Sequence, residues 1–416
     1  MRVALLSMTE AVPGEGGGLR ATLPIGGRTI ARHQLGLALA LGCARIVVLA
    51  EGFSGELVAL QHVAEAGNAR FHAVTTVRAL APLIAPEDEL FVLADGLLAM
   101  PDDMLGLLGE GNVIVTLPVE TGLPAGFERI DINYAGAGAM RIPGRIASGL
   151  ADLPPDWNPL SALLRLAVQA GIAQRSLPGA SLEQGRWRLI RSEDDAHQAE
   201  PGWLRLHTAS AHRRSPGETL AALAVQSAGP ALLHAGTSPA LVGLAAVLVL
   251  LLGLGAGWFG YATAGFALLG GAWLLRQCSA LLARIERDSL LAGLRTNLPD
   301  AVFGWVLDGS FVALCAWRSE IAALAGLPWG LAWFAPLILM LLLRLLPGTF
   351  EHGWVGHWLA DRLLLGIGLA VVSLALPFDP VVRIAVIVLL GGHMVWAARS
   401  NRTRSALANP GLTNRA

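Results

Sequence analysis

Residues 238–257 read SPALVGLAAVLVLLLGLGAG, a stretch without a single charge. An α-helix needs about 20 apolar residues to cross the hydrocarbon core of a bilayer, and this run supplies them. Five more apolar runs follow, near 259–278, 300–317, 327–347, 363–378 and 380–398. The second half of the chain therefore predicts an all-α bundle of six transmembrane helices. Arginines set its orientation. Arg213 and Arg214 precede the first run, and Arg276, Arg284, Arg287 and Arg295 lie between the second and third. Arg344 and Arg362 flank the segment between the fourth and fifth, and Arg399, Arg402 and Arg404 follow the sixth. The opposite loops carry Arg318 alone. Basic residues stay on the cytoplasmic side, so both termini are expected there, in a multi-pass protein of a bacterial inner membrane.

Before Pro239 the apolar runs are short. Arg45–Ala50, Leu90–Ala94 and Asn112–Leu117 are blocks bounded by Gly, Pro or acids, and MRVALLSM at the start has the same character. Such blocks suit strands of a mostly parallel sheet buried on both faces. Helical stretches alternate with them, for example Thr29–Gly42 and Asn158–Gly171, the second preceded by Asp156 and carrying Pro159 in its first turn. The expected organisation is an α/β domain over 1–200, a connecting segment over 201–236, the membrane domain over 237–400 and a polar tail over 401–416.

Composition narrows the function classes. Hydrophobic residues make up 54% and charged residues 15%, a membrane-protein balance. A net charge of −1 argues against nucleic acid as a partner. The chain contains no lysine, which excludes a P-loop lysine, a Schiff base and a lysine nucleophile. Cys43, Cys278 and Cys315 match no metal-ligand spacing and read as small buried side chains.

Ionisable residues gather between and within the second and third runs: Glu286, Asp288, Arg295, Asp300 and Asp308. This segment resembles the CDP-alcohol phosphatidyltransferase family, with its motif D-x2-D-G-x2-A-R-x8-G-x3-D-x3-D. Arg295, Gly304 and Asp308 match in type and spacing, and Thr237-Ser238-Pro239 is similar to the family's entry to its first helix. The other motif positions fall on Arg287, Leu290, Leu291, Leu294 and Val312. The family's four aspartates hold two divalent metals over a CDP diphosphate. The resemblance thus implies Mg2+ or Mn2+, with Asp308 as a metal ligand and catalytic group and Asp288 as a second catalytic carboxylate. Arg295 and Gly304 would then contact substrate. Asp288, Asp300 and Glu286 could rebuild a metal site, or the two-metal chemistry could be lost.

Residues 24–50, PIGGRTIARHQLGLALALGCARIVVLA, resemble sugar-phosphate nucleotidyltransferases after their nucleotide loop. Leu93-Ala94-Asp95-Gly96 falls where such enzymes place a magnesium-binding aspartate, and Trp187–Ala199 is similar to their W-x-D-[IV]-[DN]-T-x-E-D-x-x-x-A ending. The family's phosphate-cradling loop reads LLSMTEAVPGEGGGLRATLP here. Gly16, Gly17, Gly18 and Arg20 could form a cradle from backbone amides and a guanidinium, or GEGGG could be a connector. Asp95 is the expected metal ligand, or else a turn residue at a strand end.

The order of the two resemblances is that of fused inositol-phosphate cytidylyltransferase and di-inositol-phosphate phosphate synthase enzymes. It implies a membrane-bound phosphotransferase-like protein of lipid or polar head-group synthesis, with membrane lipid and a nucleotide or CDP-alcohol as partners and a possible homodimer. Two alternatives stay open: a non-enzymatic scaffold or regulator on the same folds, and a transporter-like bundle using His352, His357 and Asp361.

Overall fold

The computed structural model describes residues 1–14, 17–152, 157–208, 215–234, 238–288, 298–319, 330–349, 354–376 and 378–408. The chain divides into two compact units. The first is built on Met1–His207, with Gln226–Thr237 and Leu282–Arg295; the second comprises Thr208–Val225, Ser238–Leu281 and Thr296–Ala416.

The first unit is α/β. Its strands are β1 (Arg2–Met8), β2 (Pro24–Ile25), β3 (Arg28–Thr29), β4 (Arg45–Ala50), β5 (Arg70–Val74), β6 (Glu89–Leu93), β7 (Leu97–Ala99), β8 (Val113–Pro118), β9 (Tyr134–Pro143), β10 (Ala173–Ser176) and β11 (Trp187–Leu189). Seven form one sheet in the order β10-β8-β9-β6-β1-β4-β5. Within it only β9 runs antiparallel to its neighbours. The helices are α1 (Ile30–Ala40), α2 (Gly55–Ala66), α3 (Pro101–Leu108), α4 (Val119–Gly122), α5 (Pro159–Gln169), α6 (Gly179–Glu183) and α7 (Glu193–Thr208).

Both sheet faces are buried, which explains why the strands read as unbroken apolar blocks. Ala4, Leu6, Ile46, Val48 and Phe91 join one core with Leu35 and Ala38 of α1. Val3, Leu5, Val47, Leu49 and Val92 join another with Leu163 and Ala167 of α5. Each such large side chain contributes about 1.5–3 kcal/mol on burial. The helix starts are chemically specified. Thr29 Oγ1 accepts from Arg32 N at 3.3 Å, and Asn158 Oδ1 accepts from Leu160 N at 2.9 Å and Ser161 N at 3.3 Å. The cap of α5 is thus Asn158; Asp156 lies outside the described residues.

After α8 (Pro216–His234), the second unit is helical: α9 (Pro239–Trp258), α10 (Ala262–Asp288), α11 (Leu298–Arg318), α12 (Gly330–Thr349), α13 (Trp354–Leu359), α14 (Arg362–Ala375) and α15 (Phe378–Ala408). Pro239–Trp258, Ala262–Ile285, Asp300–Arg318 and Phe378–Val395 are four segments long and apolar enough to cross a membrane. Ala332–Leu345 and Arg362–Ala375 are shorter apolar helices. The 14 residues of α14 rise about 21 Å, less than the roughly 30 Å core. All six apolar runs thus contain helices, and among the described residues four segments are both long and apolar enough to cross.

Glycines set the close crossings in this unit. A Cβ on Gly253 of α9 would lie 3.1 Å from Gly265 O of α10, and one on Gly366 of α14 would lie 2.8 Å from Phe266 O. Small residues let helix backbones approach this closely. Phe266 stacks on Phe311 and Phe378 at centroid distances of 6.4 and 5.6 Å. Cys43, Cys278 and Cys315 are all free and buried.

Candidate functional site

The sheet of the first unit changes direction at β1. The chain steps from β1 to β4 and β5 on one side, while β6 lies on the other. Ligands of open α/β sheets bind in the crevice at such a switch point, outside the carboxyl ends of the strands. Thr9 and Glu10 follow β1 there, and Ala94, Asp95 and Gly96 follow β6. Asp95 Oδ2 accepts from the backbone N–H groups of Thr9 and Glu10, each at 2.9 Å. Asp95 Oδ1 is buried without a hydrogen-bond partner. Burial pushes the Asp95 carboxyl up to about 6, against the pull of those two N–H donors.

The turn carrying Asp95 is held tightly. Gln34 donates from its amide to Ala94 O at 2.8 Å and Leu97 O at 2.9 Å. Gly96 has φ +81°, and a Cβ there would lie 2.2 Å from Ile190 O, so glycine is required beside the aspartate. Asp95 is therefore both a strand-end turn residue and a wall of the crevice.

A cavity of about 200 Å3 opens here, with Glu10, Arg20, Asp95, Glu128, Asn158 and Ser161 in its lining. Asn158 Nδ2 donates to Glu10 Oε1 at 2.7 Å, and Arg20 Nη1 lies 3.8 Å from Glu10 Oε2. Three carboxylates thus line the cavity with one guanidinium, and a second guanidinium, that of Arg165, pairs with Glu128 at 3.4 Å. Arg20 reaches the cleft because its backbone N–H donates to Glu10 O at 2.9 Å. Gly17 and Gly18 are exposed and do not line the cavity; Gly16 lies outside the described residues. Sequence reasoning missed Glu10, Glu128 and Asn158, which sit on three separate segments with no local pattern to join them. In the W-x-D ending, the aspartate position is Leu189, a lining residue of the same cavity.

Among the described residues, no group of three or more His, Cys, Asp or Glu could hold a metal ion. One Mg2+ or Mn2+ needs less, since Mg2+ is often held by one or two carboxylates with waters and ligand phosphates completing the shell. The unpartnered oxygen of Asp95 fits that single role.

The helical unit has a different chemistry. Asp308 on α11 is 5% exposed. Its Oδ2 accepts from Arg344 Nε at 2.6 Å and Arg362 Nη2 at 3.0 Å, and its Oδ1 accepts from Arg362 Nε at 2.9 Å. Gly304 lies one turn away, where a Cβ would meet Arg344 Nη2 at 3.7 Å. Asp300 pairs with Arg276. Arg295 lies outside the described residues, as do the side chains of Glu286 and Asp288. With both oxygens of Asp308 engaged by guanidinium groups, this donor set does not fit a two-metal centre. Arg344 and Arg362 had served only to orient the loops. An arginine inside the run LILMLLLRLL, facing an aspartate inside another, was a legible sign of a buried pair.

Asp361, a possible proton-handling group, caps α14. Its Oδ1 accepts from Leu363 N at 2.9 Å and Leu364 N at 3.4 Å, and its Oδ2 from Gly217 N at 2.6 Å. His352 lies outside the described residues. No protein-family model matches the chain, and no curated protein matches it.

Proposed function

We propose that the chain is a membrane-bound protein of lipid or polar head-group synthesis whose α/β unit binds a nucleotide or nucleotide-activated alcohol in the Asp95 cleft. The observation that carries this is the position of Asp95 at the switch point of the sheet, fixed through one oxygen and unpartnered at the other. Asp95 would hold one Mg2+ or Mn2+, which supplies charge neutralisation for the ligand's phosphates. Glu10 and Asn158 position the loop after β1, and Arg20 is the cation that lines the cavity. The α/β unit is nucleotidyltransferase-like in this reading, and the six apolar helices form a bacterial inner-membrane bundle with both chain ends in the cytoplasm. The arginine distribution supports that orientation.

The test is calorimetry on the full chain in detergent micelles with CTP, with and without Mg2+. Saturable Mg2+-dependent binding that is lost in Asp95→Ala is expected. Wild-type protein that binds no nucleotide would remove the proposal.

A specific observation favours a second reading, a non-enzymatic regulator on the same folds. Asp308, the surviving motif carboxylate, is saturated by Arg344 and Arg362. In that case nucleotide binding persists in the α/β unit while CDP-alcohol turnover by the intact protein is absent.

A further inference from the structure

The cluster on α11, α12 and α14 holds two guanidinium groups against one carboxylate. Asp300, the other described carboxylate of α11 outside this cluster, is already paired with Arg276. Asp361, the buried carboxylate beside Arg362 in sequence, spends its oxygens on the backbone N–H groups of Gly217, Leu363 and Leu364, so Asp308 is the carboxylate that both guanidinium groups share.

The unused donors belong to Arg344. Its Nε is taken by Asp308 Oδ2, while Nη1 and Nη2 make no hydrogen bond among the described residues. Arg362 differs: Nε and Nη2 go to Asp308, and Nη1 donates to Ala360 O at 2.7 Å. The Arg344 side chain is 27% exposed, so its outer edge reaches the surface of the unit. Its guanidinium lies over the ring of Trp305, 3.5 Å from the centroid, and Trp305 is itself 58% exposed. Gly304, next in sequence, borders the same group, since a Cβ there would lie in ordinary contact with Nη2 at 3.7 Å. Leu341 and Leu345, flanking Arg344 on α12, are exposed apolar residues. A guanidinium edge with free N–H groups, stacked on an aromatic ring and bordered by leucines, matches a phosphate that carries apolar chains. Two parallel N–H groups meet two phosphate oxygens in fork geometry, and tryptophan belongs at the depth of lipid head groups.

We propose that Arg344, backed by Asp308 and Arg362 and flanked by Gly304 and Trp305, binds a phosphate or phosphodiester anion without a divalent metal. The arginines supply the positive charge that cations supply in two-metal phosphoryl chemistry. The site is independent of the nucleotide reading of the Asp95 cleft and stands or falls separately.

The experiment uses the full chain in a zwitterionic, phosphate-free detergent, with dihexanoyl-phosphatidylglycerol and inorganic phosphate as probes, in EDTA and in Mg2+. Binding of the lipid probe should be equal in EDTA and Mg2+. Arg344→Gln should weaken it at least tenfold, and Arg344→Lys, which keeps the charge but loses the fork, should weaken it less. Arg383→Gln, at an exposed arginine on α15 outside the cluster, should leave it unchanged. If inorganic phosphate displaces the lipid probe, the site takes phosphate from water as well; if it does not, the bilayer is the source. Lipid binding that disappears in EDTA overturns the proposal, as does full-strength binding by Arg344→Gln. Should Arg344→Gln fail to fold, the graded loss in Arg344→Lys decides, and unchanged affinity there overturns it.

Discussion

Arg362 clasps Asp308 through two guanidinium nitrogens, Nε to Oδ1 at 2.9 Å and Nη2 to Oδ2 at 3.0 Å. This is the side-on geometry in which a guanidinium holds a carboxylate most firmly. Arg344 closes the remaining approach to Oδ2 at 2.6 Å. Removing one member of a buried charged pair costs about 3–5 kcal/mol, because its partner stays buried and uncompensated. Asp308→Asn should therefore sharply lower the melting temperature of the full chain in micelles. Asp308→Asn with Arg362→Gln should recover part of the loss. A metal-ligand role for Asp308 makes a different demand: Mn2+ should stabilise wild type more than the variant. The same response to Mn2+ in both proteins, set by the Asp95 cleft alone, is the expected result.

Topology has a sharp discriminator at His357 on α13. If α12 and α14 cross the membrane together with the four longer helices, His357 faces the cytoplasm. If only the four long segments cross, the chain has passed outward through Asp300–Arg318 and His357 faces the other side. A cysteine at position 357 should react only with reagent supplied from the cytoplasmic side. Cys43, Cys278 and Cys315 are buried, so the background should be low. Labelling from the outside in intact cells would establish the four-span arrangement.

The fold was legible in the sequence where local composition decides it. Arg45–Ala50 and Leu90–Ala94 are strands at or within a residue of their expected bounds, because central parallel strands are apolar on both faces. The apolar runs from Pro239 onward became helices for an equally local reason. The cleft was only half legible. Asp95 announced itself by ending an apolar block with Asp-Gly, but Glu10, Glu128 and Asn158 converge on it through the strand order of the sheet. Gly17 has φ +63°, so glycine suits the bend there, and a Cβ would meet nothing within 4 Å, so among protein atoms the turn alone asks for its glycine. Asp308 was picked out from a family spacing, whereas its partners follow from the pairing rule for charges inside apolar helices.

Two glycines with similar backbone angles should respond differently to alanine. Gly96, at φ +81°, would place a Cβ 2.2 Å from the carbonyl oxygen of Ile190, and that carbonyl accepts no easy shift because Ile190 N donates to Gly96 O at 2.9 Å. Gly126, at φ +88°, would meet the guanidinium of Arg191 at 2.7–2.9 Å, the movable end of a half-exposed side chain. Gly126→Ala should cost about 1–2 kcal/mol, the left-handed backbone penalty alone. Gly96→Ala should cost clearly more and should also displace Asp95, its neighbour. Urea unfolding of the two variants side by side checks this, and equal losses would show that the Ile190 contact yields.

The buried carboxyl and a buried imidazole should leave opposing marks on stability against pH. Burial raises the Asp95 carboxyl from 3.8 to about 6. Its folded value lies above its unfolded value, so its contribution is full below about pH 4 and is lost as pH rises through 6. The difference amounts to about 3 kcal/mol. Burial lowers His33 from 6.5 to about 4, helped by the nearby His207, Arg28 and Arg32, although its hydrogen bond with Ile25 O opposes the shift. Its folded value lies below its unfolded value, so its contribution is full above about pH 6.5 and is lost as pH falls through 4, by a similar amount. Against the pull of burial, the Ala85 N–H and then the amino terminus hold the Asp88 carboxyl below its usual range, and Arg141 and then Arg2 do the same for Glu89. His72, lowered from 6.5 by its burial and by Arg45 and Arg70, adds to the histidine side, so the opposing effects offset in part and the wild-type urea midpoint should change less from pH 4.5 to pH 6.5 than that of either variant below. Asp95→Asn should unmask the histidine, giving a midpoint that climbs as pH rises. His33→Gln should unmask the aspartate, giving a midpoint that falls. Following the loss of sheet signal by circular dichroism in the full chain reads both slopes, and it is the slopes that matter, since either variant can shift the absolute midpoint. Two parallel flat profiles would mean that neither group titrates in the folded α/β unit between those pH values.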